Sequence, residues 1–207
     1  MNVLLINGSP HREGNTFIAL SEVARTLEAQ GIGTEIVHIG TRAMQGCIAC
    51  WKCAELGHCV FSDAVYTAVR EKLAEADGLV VGSPVYYAGP NGSLCALLDR
   101  VFYSCGRDLA YKPAAICCSA RRAGTTSTLD QLVKYPEFFH MPLVSGSYWP
   151  MVHGSNPEQV LQDAEGCAVM QELGRNMAWL LRCIEAGKAA GIQHPENPRR
   201  PMTNFIR

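Results

Sequence analysis

The chain alternates short apolar runs with amphipathic stretches, and this alternation restricts its fold more than any other feature. The run 2–7 has four consecutive apolar residues between two asparagines, which is typical of a central parallel strand buried on both faces. The stretch 15–30 instead places Phe17, Leu20 and Val23 at helical spacing. Parallel strands need crossover connections, which helices between them supply. The pattern therefore predicts an α/β protein built on a parallel sheet.

Five strands and five helices are predicted along the chain. The predicted strands are 2–7, 34–39, 78–82, 114–119 and 143–145, and the predicted helices are 15–30, 63–76, 92–103, 126–139 and 157–186. Right-handed crossovers between them give a doubly wound sheet with helices on both faces. Residues 1–190 are predicted to form this domain. The segment 191–207 is too rich in proline for regular structure, and we expect it to lie along the surface or reach a neighbouring subunit.

Length and charge exclude several classes of function. With 207 residues the chain is long enough for one α/β domain, and its formal net charge of -1 provides no electrostatic attraction for nucleic acid or an anionic membrane. No apolar run approaches the roughly 18 residues that a membrane span requires. The sequence starts without the basic region of a signal peptide. We therefore expect a cytoplasmic protein with neither nucleic acid nor membrane as a partner.

The loop after the first predicted strand has residues suited to holding a phosphate. The candidate residues are Ser9, His11, Gly14, Asn15 and Thr16. They supply backbone N–H groups and hydroxyls at the start of a helix, where the helix dipole also favours an anion. A Walker A loop and the G-x-G-x-x-G dinucleotide motif are both absent. The alternative is a plain strand-to-helix turn with an N-cap.

Two further loops are expected at the same edge, because doubly wound sheets bind ligands at the carboxyl ends of their strands. The candidate residues are Pro84, Val85, Tyr86, Tyr87, Ala88 and Gly89 after the third strand, and Ser119, Arg121, Arg122 and Gly124 after the fourth. The first group can grip a planar ring with its main chain, and the arginines can meet a ring carbonyl or a nucleotide phosphate. The alternatives are ordinary packing for the tyrosines and simple solvation for the arginines.

Four of the ten cysteines are clustered in a polar loop. Cys47, Cys50, Cys53 and Cys59 have the spacing C-x2-C-x2-C-x5-C. Three thiols at two-residue intervals can turn toward one point and the fourth closes the cage, an arrangement typical of a [4Fe–4S] cluster. A zinc site is one alternative, although paired motifs separated by a long gap are commoner for zinc. Structural or redox-active thiols are the other.

The motifs together resemble the flavodoxin-like NAD(P)H-dependent FMN reductases. The resemblance is carried by G-S-P-H-x-x-G-N-T at 8–16, by A-D-G at 76–78 leading to G-S-P-V-Y at 82–86, and by L-D-R at 98–100. The compact cysteine motif resembles more narrowly the iron-sulfur flavoprotein branch of that family. The resemblance covers about residues 1–150 and implies the flavodoxin-like sheet order 2-1-3-4-5. Asp99 and Arg100 in the last motif are interpreted as a structural ion pair.

The resemblance also implies a cofactor and a reaction. FMN would place its phosphate in the first loop and its isoalloxazine ring against the second, with the third loop beside the ring. Because the flavin carries the chemistry, no catalytic side chain is predicted. The predicted function is an FMN-dependent oxidoreductase that passes electrons from NAD(P)H to a quinone, flavin or other small acceptor. The alternatives are an electron carrier with FMN and a [4Fe–4S] cluster served by an electron-transfer protein, and a flavin-free binding module. Members of the family are homodimers or homotetramers.

Overall fold

The computed structural model describes residues 1–196 and 201–205. The strands are β1 Asn2–Asn7, β2 Gly33–His38, β3 Gly78–Tyr86, β4 Gly89–Pro90, β5 Ala114–Ala120 and β6 Met151–His153. Five of them are parallel and lie in the order β2-β1-β3-β5-β6, while the two-residue β4 pairs antiparallel with β3. Apart from the added β4, this is the predicted flavodoxin-like order.

Helices cover both faces of the sheet. They are α1 Asn15–Ala29, α2 Cys53–Leu56, α3 Ala64–Glu75, α4 Gly92–Cys105, α5 Thr125–Leu132, α6 Lys134–Phe138, α7 Pro157–Val160 and α8 Ala164–Ala189, with a 3-10 turn at Gly106–Leu109. Alternate residues of β1 point to opposite faces. Val3 and Leu5 pack under α1 and α8, whereas Leu4 and Ile6 pack under α3, α4 and α5. The protein therefore has two apolar cores, one on each side of the sheet.

The predicted strand 143–145 is wrong in position. Leu143 forms only an isolated parallel bridge with Ala114, and the fifth parallel strand is β6, which pairs with Cys118–Ala120. Between them the backbone N–H and hydroxyl of Ser147 both donate to the carboxylate of Glu172 on α8, at 2.7 and 2.6 Å. In this intervening segment the chain bonds to α8 and not to β5, so the edge of the sheet is completed in two separate pieces.

Two predicted helices are divided in the structure. The stretch 126–139 becomes α5 and α6, because Pro136 lacks the N–H that a continuous helix needs and instead lies in the first turn of α6. The stretch 157–186 becomes α7 and α8. Asp163 accepts a hydrogen bond from the backbone N–H of Gly166 and so caps a new helix there.

The described part of the segment after Gly191 has no helix or strand. The ring of His194 stacks on Tyr111 with 4.5 Å between centroids, and the Tyr111 hydroxyl donates to the carbonyl of Pro195 at 3.3 Å. The rest of the predicted proline-rich tail, 197–200 and 206–207, lies outside the described residues. Within the described chain, none of the helices combines the length and apolar character needed to cross a membrane.

Candidate functional site

The loop between β1 and α1 is held by two of its own side chains. The Oδ1 atom of Asn7 accepts from the N–H of Ser9 at 3.1 Å, while its Nδ2 donates to the carbonyl of Arg12 at 3.0 Å. The hydroxyl of Ser9 then accepts from the N–H of His11 at 3.1 Å. Asn7 and Ser9 are buried, so the shape of the loop is fixed from below. The side chain of His11 is exposed.

Two helices begin at this edge of the sheet without a side-chain cap. The N-cap residues of α1 and α5 are Gly14 and Gly124, and among the described residues no side chain caps either helix or places a carboxylate in its first turn. In contrast, α3, α4 and α8 are capped by Asp63, Asn91 and Asp163. The first N–H groups of a helix have no intrahelical acceptor. Both helix starts therefore offer donors and a positive dipole end to an anion.

Hydrogen bonds join the start of α1 directly to the ends of β5 and β6. The hydroxyls of Thr16 and Ser119 are buried and lie 2.9 Å apart. The Nδ2 atom of Asn15 donates to the carbonyl of Gly154, just after β6, at 2.6 Å. Three of the sequence-predicted residues, Asn15, Thr16 and Ser119, thus take part in the bonds that join this edge.

The second predicted loop is a tight hairpin between β3 and β4. Tyr87 and Ala88 form its turn with φ angles of 49° and 59°, although turns of this kind favour glycine or asparagine. The ring of Tyr87 is fully exposed and that of Tyr86 is half-exposed. The turn is tied to α5, since the hydroxyl of Ser127 donates to the carbonyl of Ala88 at 2.6 Å. Strain of this kind persists where the surroundings enforce it, often at binding sites.

The third predicted loop packs against this hairpin through a glycine. A Cβ atom on Gly124 would lie 2.8 Å from both the Cα of Ala88 and the Cγ1 of Val85, and its φ of 94° also favours glycine. The side chains of Arg121 and Arg122 are exposed beside it. The carbonyl of Arg122 accepts from the Nε2 of His153 at 3.2 Å. Both cations are therefore exposed at the carboxyl edge of the sheet.

Two residues that the sequence analysis missed connect the loops. Asn91 is buried, its Nδ2 donates to the carbonyl of Gly8 at 2.7 Å, and its N–H donates to the hydroxyl of Ser83 at 3.0 Å. His38 at the end of β2 donates from its Nε2 to the carbonyl of Ser9 at 2.8 Å. Position at the end of a neighbouring strand was the available signal for His38. Asn91 shows its role only once the hairpin is folded.

The four clustered cysteines border one cavity between their own loop and α4. Cys47, Cys50, Cys53 and Cys59 all line it, and all four thiols are free. The intervening Ala49 and Trp51 both have positive φ angles, which wind the loop tightly. Within the part of the chain that the structure describes, no group of three or more histidine, cysteine or acidic side chains is arranged to hold a metal ion. The cysteines share a cavity without converging on a single point.

Helix α4 supplies the floor of this cavity through Arg100, Tyr103 and Ser104. The thiol of Cys53 donates to the carbonyl of Tyr103 at 3.5 Å. The N–H of Cys59 donates to the hydroxyl of Tyr66 at 2.8 Å, and that hydroxyl lies 2.7 Å from the hydroxyl of Ser104. The cysteine loop is therefore fastened to α3 and α4 at two of its four cysteines.

The predicted ion pair between Asp99 and Arg100 is wrong. Asp99 accepts from the hydroxyl of Tyr135 at 2.6 Å, whereas the Nη1 of Arg100 lies 2.6 Å from the Oδ2 of Asp63. The side chains of adjacent helix residues point in different directions, so Asp99 and Arg100 do not face each other. Arg100 is buried beneath the cysteine loop with its guanidinium over the ring of Tyr66, 4.7 Å from the centroid.

Replacement of Asp63 by Asn should give a pH-dependent loss of stability. Partial burial works to raise the pKa of Asp63, but hydrogen bonds from the N–H of Tyr66 and from Arg100, with the charge of Arg100, hold it below 3.8. A carboxyl whose pKa is lower in the folded state stabilises the fold above the unfolded pKa, and this stabilisation is lost as the pH falls. We expect Asp63→Asn to lower the free energy of unfolding by about 1 kcal/mol at pH 7 and by almost nothing near pH ~2, in urea titrations.

Glu35→Gln is the matched control for this change. It also converts a carboxylate to an amide, but in an exposed pair with Lys72, which contributes little. An equal loss of stability in both variants, or a loss in Asp63→Asn that does not change with pH, would show that the ion pair with Arg100 contributes no more to the free energy of unfolding than an exposed pair does.

A doubly wound sheet in this order defines the flavodoxin-like fold, in which ligands bind at the carboxyl ends of the strands. The family model described as NADPH-dependent FMN reductase matches residues 1–156, and the chain belongs to this family. It is thus a flavin-dependent oxidoreductase.

The comparisons also find relatives along nearly the whole chain. An iron-sulfur flavoprotein of Methanocaldococcus jannaschii is 32% identical over 193 residues, covering 89% of this chain and 100% of the relative. One from Archaeoglobus fulgidus is 36% identical over 198 residues, covering 91% and 96%. Among solved structures, RosB with bound 8-demethyl-8-formylriboflavin-5'-phosphate has a TM-score of 0.69 at 15% identity, covering 100% of this chain and 93% of RosB. The last likeness shows the fold.

Proposed function

We propose that this chain is an electron-transfer flavoprotein with FMN at the carboxyl edge of the sheet and a [4Fe–4S] cluster on Cys47, Cys50, Cys53 and Cys59. The observation that carries the proposal is the shared cavity of the four free thiols, in a chain whose family binds FMN. The names of its relatives, iron-sulfur flavoproteins, support the same assignment.

The first loop fits the phosphate of FMN. The uncapped start of α1 provides N–H donors, and the hydroxyls of Ser9 and Thr16 lie beside it on buried side chains. Gly14 allows the loop to fold closely on itself, because a Cβ atom at this position would lie 2.9 Å from the Cβ of His11. In our proposal these groups hold the phosphate, and His11 shields it from solvent.

The hairpin fits the ring of FMN. Backbone N–H groups of 85–89 would border the ring edge, and the exposed faces of Tyr86 and Tyr87 offer flat apolar surface. Arg121 and Arg122, exposed at the same edge, would stabilise negative charge on the reduced ring or hold the phosphate of an incoming pyridine nucleotide. When bound, the flavin accepts a hydride or single electrons, so the side chains need only bind and orient it.

The cysteine loop fits a cluster better than a single ion. Among the described residues that line the cavity are four cysteines and no histidine or carboxylate, a ligand set that both a [4Fe–4S] cluster and a structural zinc ion accept. The compact C-x2-C-x2-C-x5-C spacing favours the cluster. A cubane takes its thiolates at four separate corners, so its ligands need not converge as those of one zinc ion do. The four cysteines border one cavity, and in our proposal they would take these four positions when the cluster is bound.

A second candidate concerns the electron donor. The family description, NADPH-dependent FMN reductase, favours NAD(P)H as the reductant and a quinone, flavin or other small molecule as the acceptor. A cluster favours single-electron exchange with an electron-transfer protein instead. The expectations of a homodimer or homotetramer and of a cytoplasmic location stay predictions.

The experiment that tests the proposal is an absorption spectrum of anaerobically purified protein, with iron and acid-labile sulfide assayed on the same sample. We expect flavin bands, a broad shoulder near ~400 nm and about four irons per chain. Flavin bands without iron would overturn the cluster and leave an FMN oxidoreductase with four thiols. A steady-state assay of NADH and NADPH oxidation on this sample then separates the two donors.

A further inference from the structure

Arg100 is a buried cation directly beneath the cysteine loop. Its side chain has no exposed surface, whereas arginine is almost never fully buried unless it is paired. Its partner Asp63 keeps 42% of its side-chain surface exposed. The ion pair therefore has one partly exposed member and one buried member, and the buried, positively charged member borders the cavity that the cysteines line.

The guanidinium of Arg100 joins the two ends of the cysteine loop. Its Nη1 donates to the carbonyl of Gln45 at 3.3 Å, and its Nη2 donates to the carbonyl of Phe61. These carbonyls lie two residues before Cys47 and two residues after Cys59. One planar group thus fixes where the loop begins and where it ends, which a lysine, with its single ammonium, would not do in the same geometry.

One donor of this guanidinium has no partner in the part of the chain that the structure describes. The Nε of Arg100 is buried, and among the described residues no acceptor lies within hydrogen-bonding distance of it. A guanidinium has five N–H donors, and a buried donor without an acceptor is costly. Arg100 also lines the cavity that the four cysteines border. An acceptor placed in that cavity would complete its hydrogen bonds.

We propose that Arg100 is a positioning residue for the four-cysteine site and that its Nε–H donates to a sulfur atom of the group bound there. This inference rests on the proposed function. A cluster with four thiolate ligands carries net negative charge, and both hydrogen bonds to its sulfurs and nearby positive charge favour its reduced form. Arg100 therefore sets the loop geometry and raises the reduction potential of the cluster.

The test compares Arg100→Met and Arg100→Lys with the wild-type protein purified anaerobically. Iron and sulfide are measured per flavin, and the cluster potential is measured by electron paramagnetic resonance during a dithionite titration. We expect Arg100→Met to retain flavin and to lower the equilibrium constant for cluster reduction tenfold, about 59 mV for one electron. Arg100→Lys keeps the charge but lacks the Nε–H, so we expect a smaller shift in the same direction.

Arg70→Met is the matched control. Arg70 also donates to a carbonyl of the cysteine loop, that of Gly57 at 3.3 Å, but from the exposed side. We expect it to leave iron content and potential unchanged.

Three outcomes overturn the inference, and they are distinguishable. Wild-type protein with flavin but no iron removes the proposed cluster itself. A wild-type cluster whose potential is unchanged in Arg100→Met shows that Arg100 only fastens the loop. If Arg100→Met does not fold, an unchanged potential and iron content in Arg100→Lys overturns the hydrogen bond to sulfur.

Discussion

Replacement of Cys53 by Ala should give a protein that keeps its flavin and loses its iron. Cys53 is partly exposed and its thiol makes one weak bond, to the carbonyl of Tyr103, so its removal leaves the two apolar cores intact. A cubane cluster needs all four thiolates. We therefore expect iron to fall from about four per chain to less than about one, with the flavin absorbance unchanged, in the combined spectrum and iron assay.

The same substitution at the other three positions separates the alternatives for this loop. A cluster predicts an equal loss of iron at Cys47, Cys50 and Cys59, because each is a corner ligand. A redox-active disulfide would make only two of the four positions matter, and a zinc site would show zinc in place of iron. Cys183→Ala, which removes an exposed thiol from α8, is the control and should leave the metal content unchanged.

Local patterns predicted most of the fold. Apolar periodicity placed α3 at 63–76 and α4 at 92–103, and the structure has them at Ala64–Glu75 and Gly92–Cys105. Such patterns depend on residues a few positions apart. The fifth strand could not be placed in this way. Between Leu143 and β6 the chain bonds to Glu172, 25 residues beyond Ser147, and no local pattern reveals a contact of that separation.

The site was predictable as a set of loops but not as a set of contacts. Parallel topology alone brings the ends of β1, β3 and β5 to one edge, which is why Thr16 and Ser119, 103 residues apart, were assigned to the same site and do meet. Asp99 is adjacent to Arg100 in sequence but not on the surface of α4, so sequence adjacency does not predict that Arg100 pairs with Asp63. Nothing local marks Arg100 as buried, since that follows from the path of the cysteine loop above α4.

Replacement of Asn15 by Asp should weaken FMN binding strongly while leaving riboflavin binding unchanged. Asn15 is the first residue of α1, beside the proposed phosphate site, and Asp has nearly the same shape. Its carboxylate would repel the phosphate by roughly 3 kcal/mol if the two lie ~5 Å apart at an effective dielectric constant of about 20. That energy corresponds to a loss of affinity of about 100-fold. Riboflavin has the same ring without the phosphate, so fluorescence titrations of both ligands check the prediction.

The opposing effects on the protein without ligand make this test sharp. A carboxylate in the first turn of α1 interacts favourably with the helix dipole and stabilises the fold by about 0.3–1 kcal/mol. Loss of the hydrogen bond from Asn15 to Gly154 destabilises the fold by a similar amount. We therefore expect little change in the melting temperature. Asn176→Asp removes a comparable bond, to the carbonyl of Ser145, on a different helix and should bind FMN normally. Equal weakening of FMN and riboflavin would mean that the first loop shapes the ring site rather than holding the phosphate.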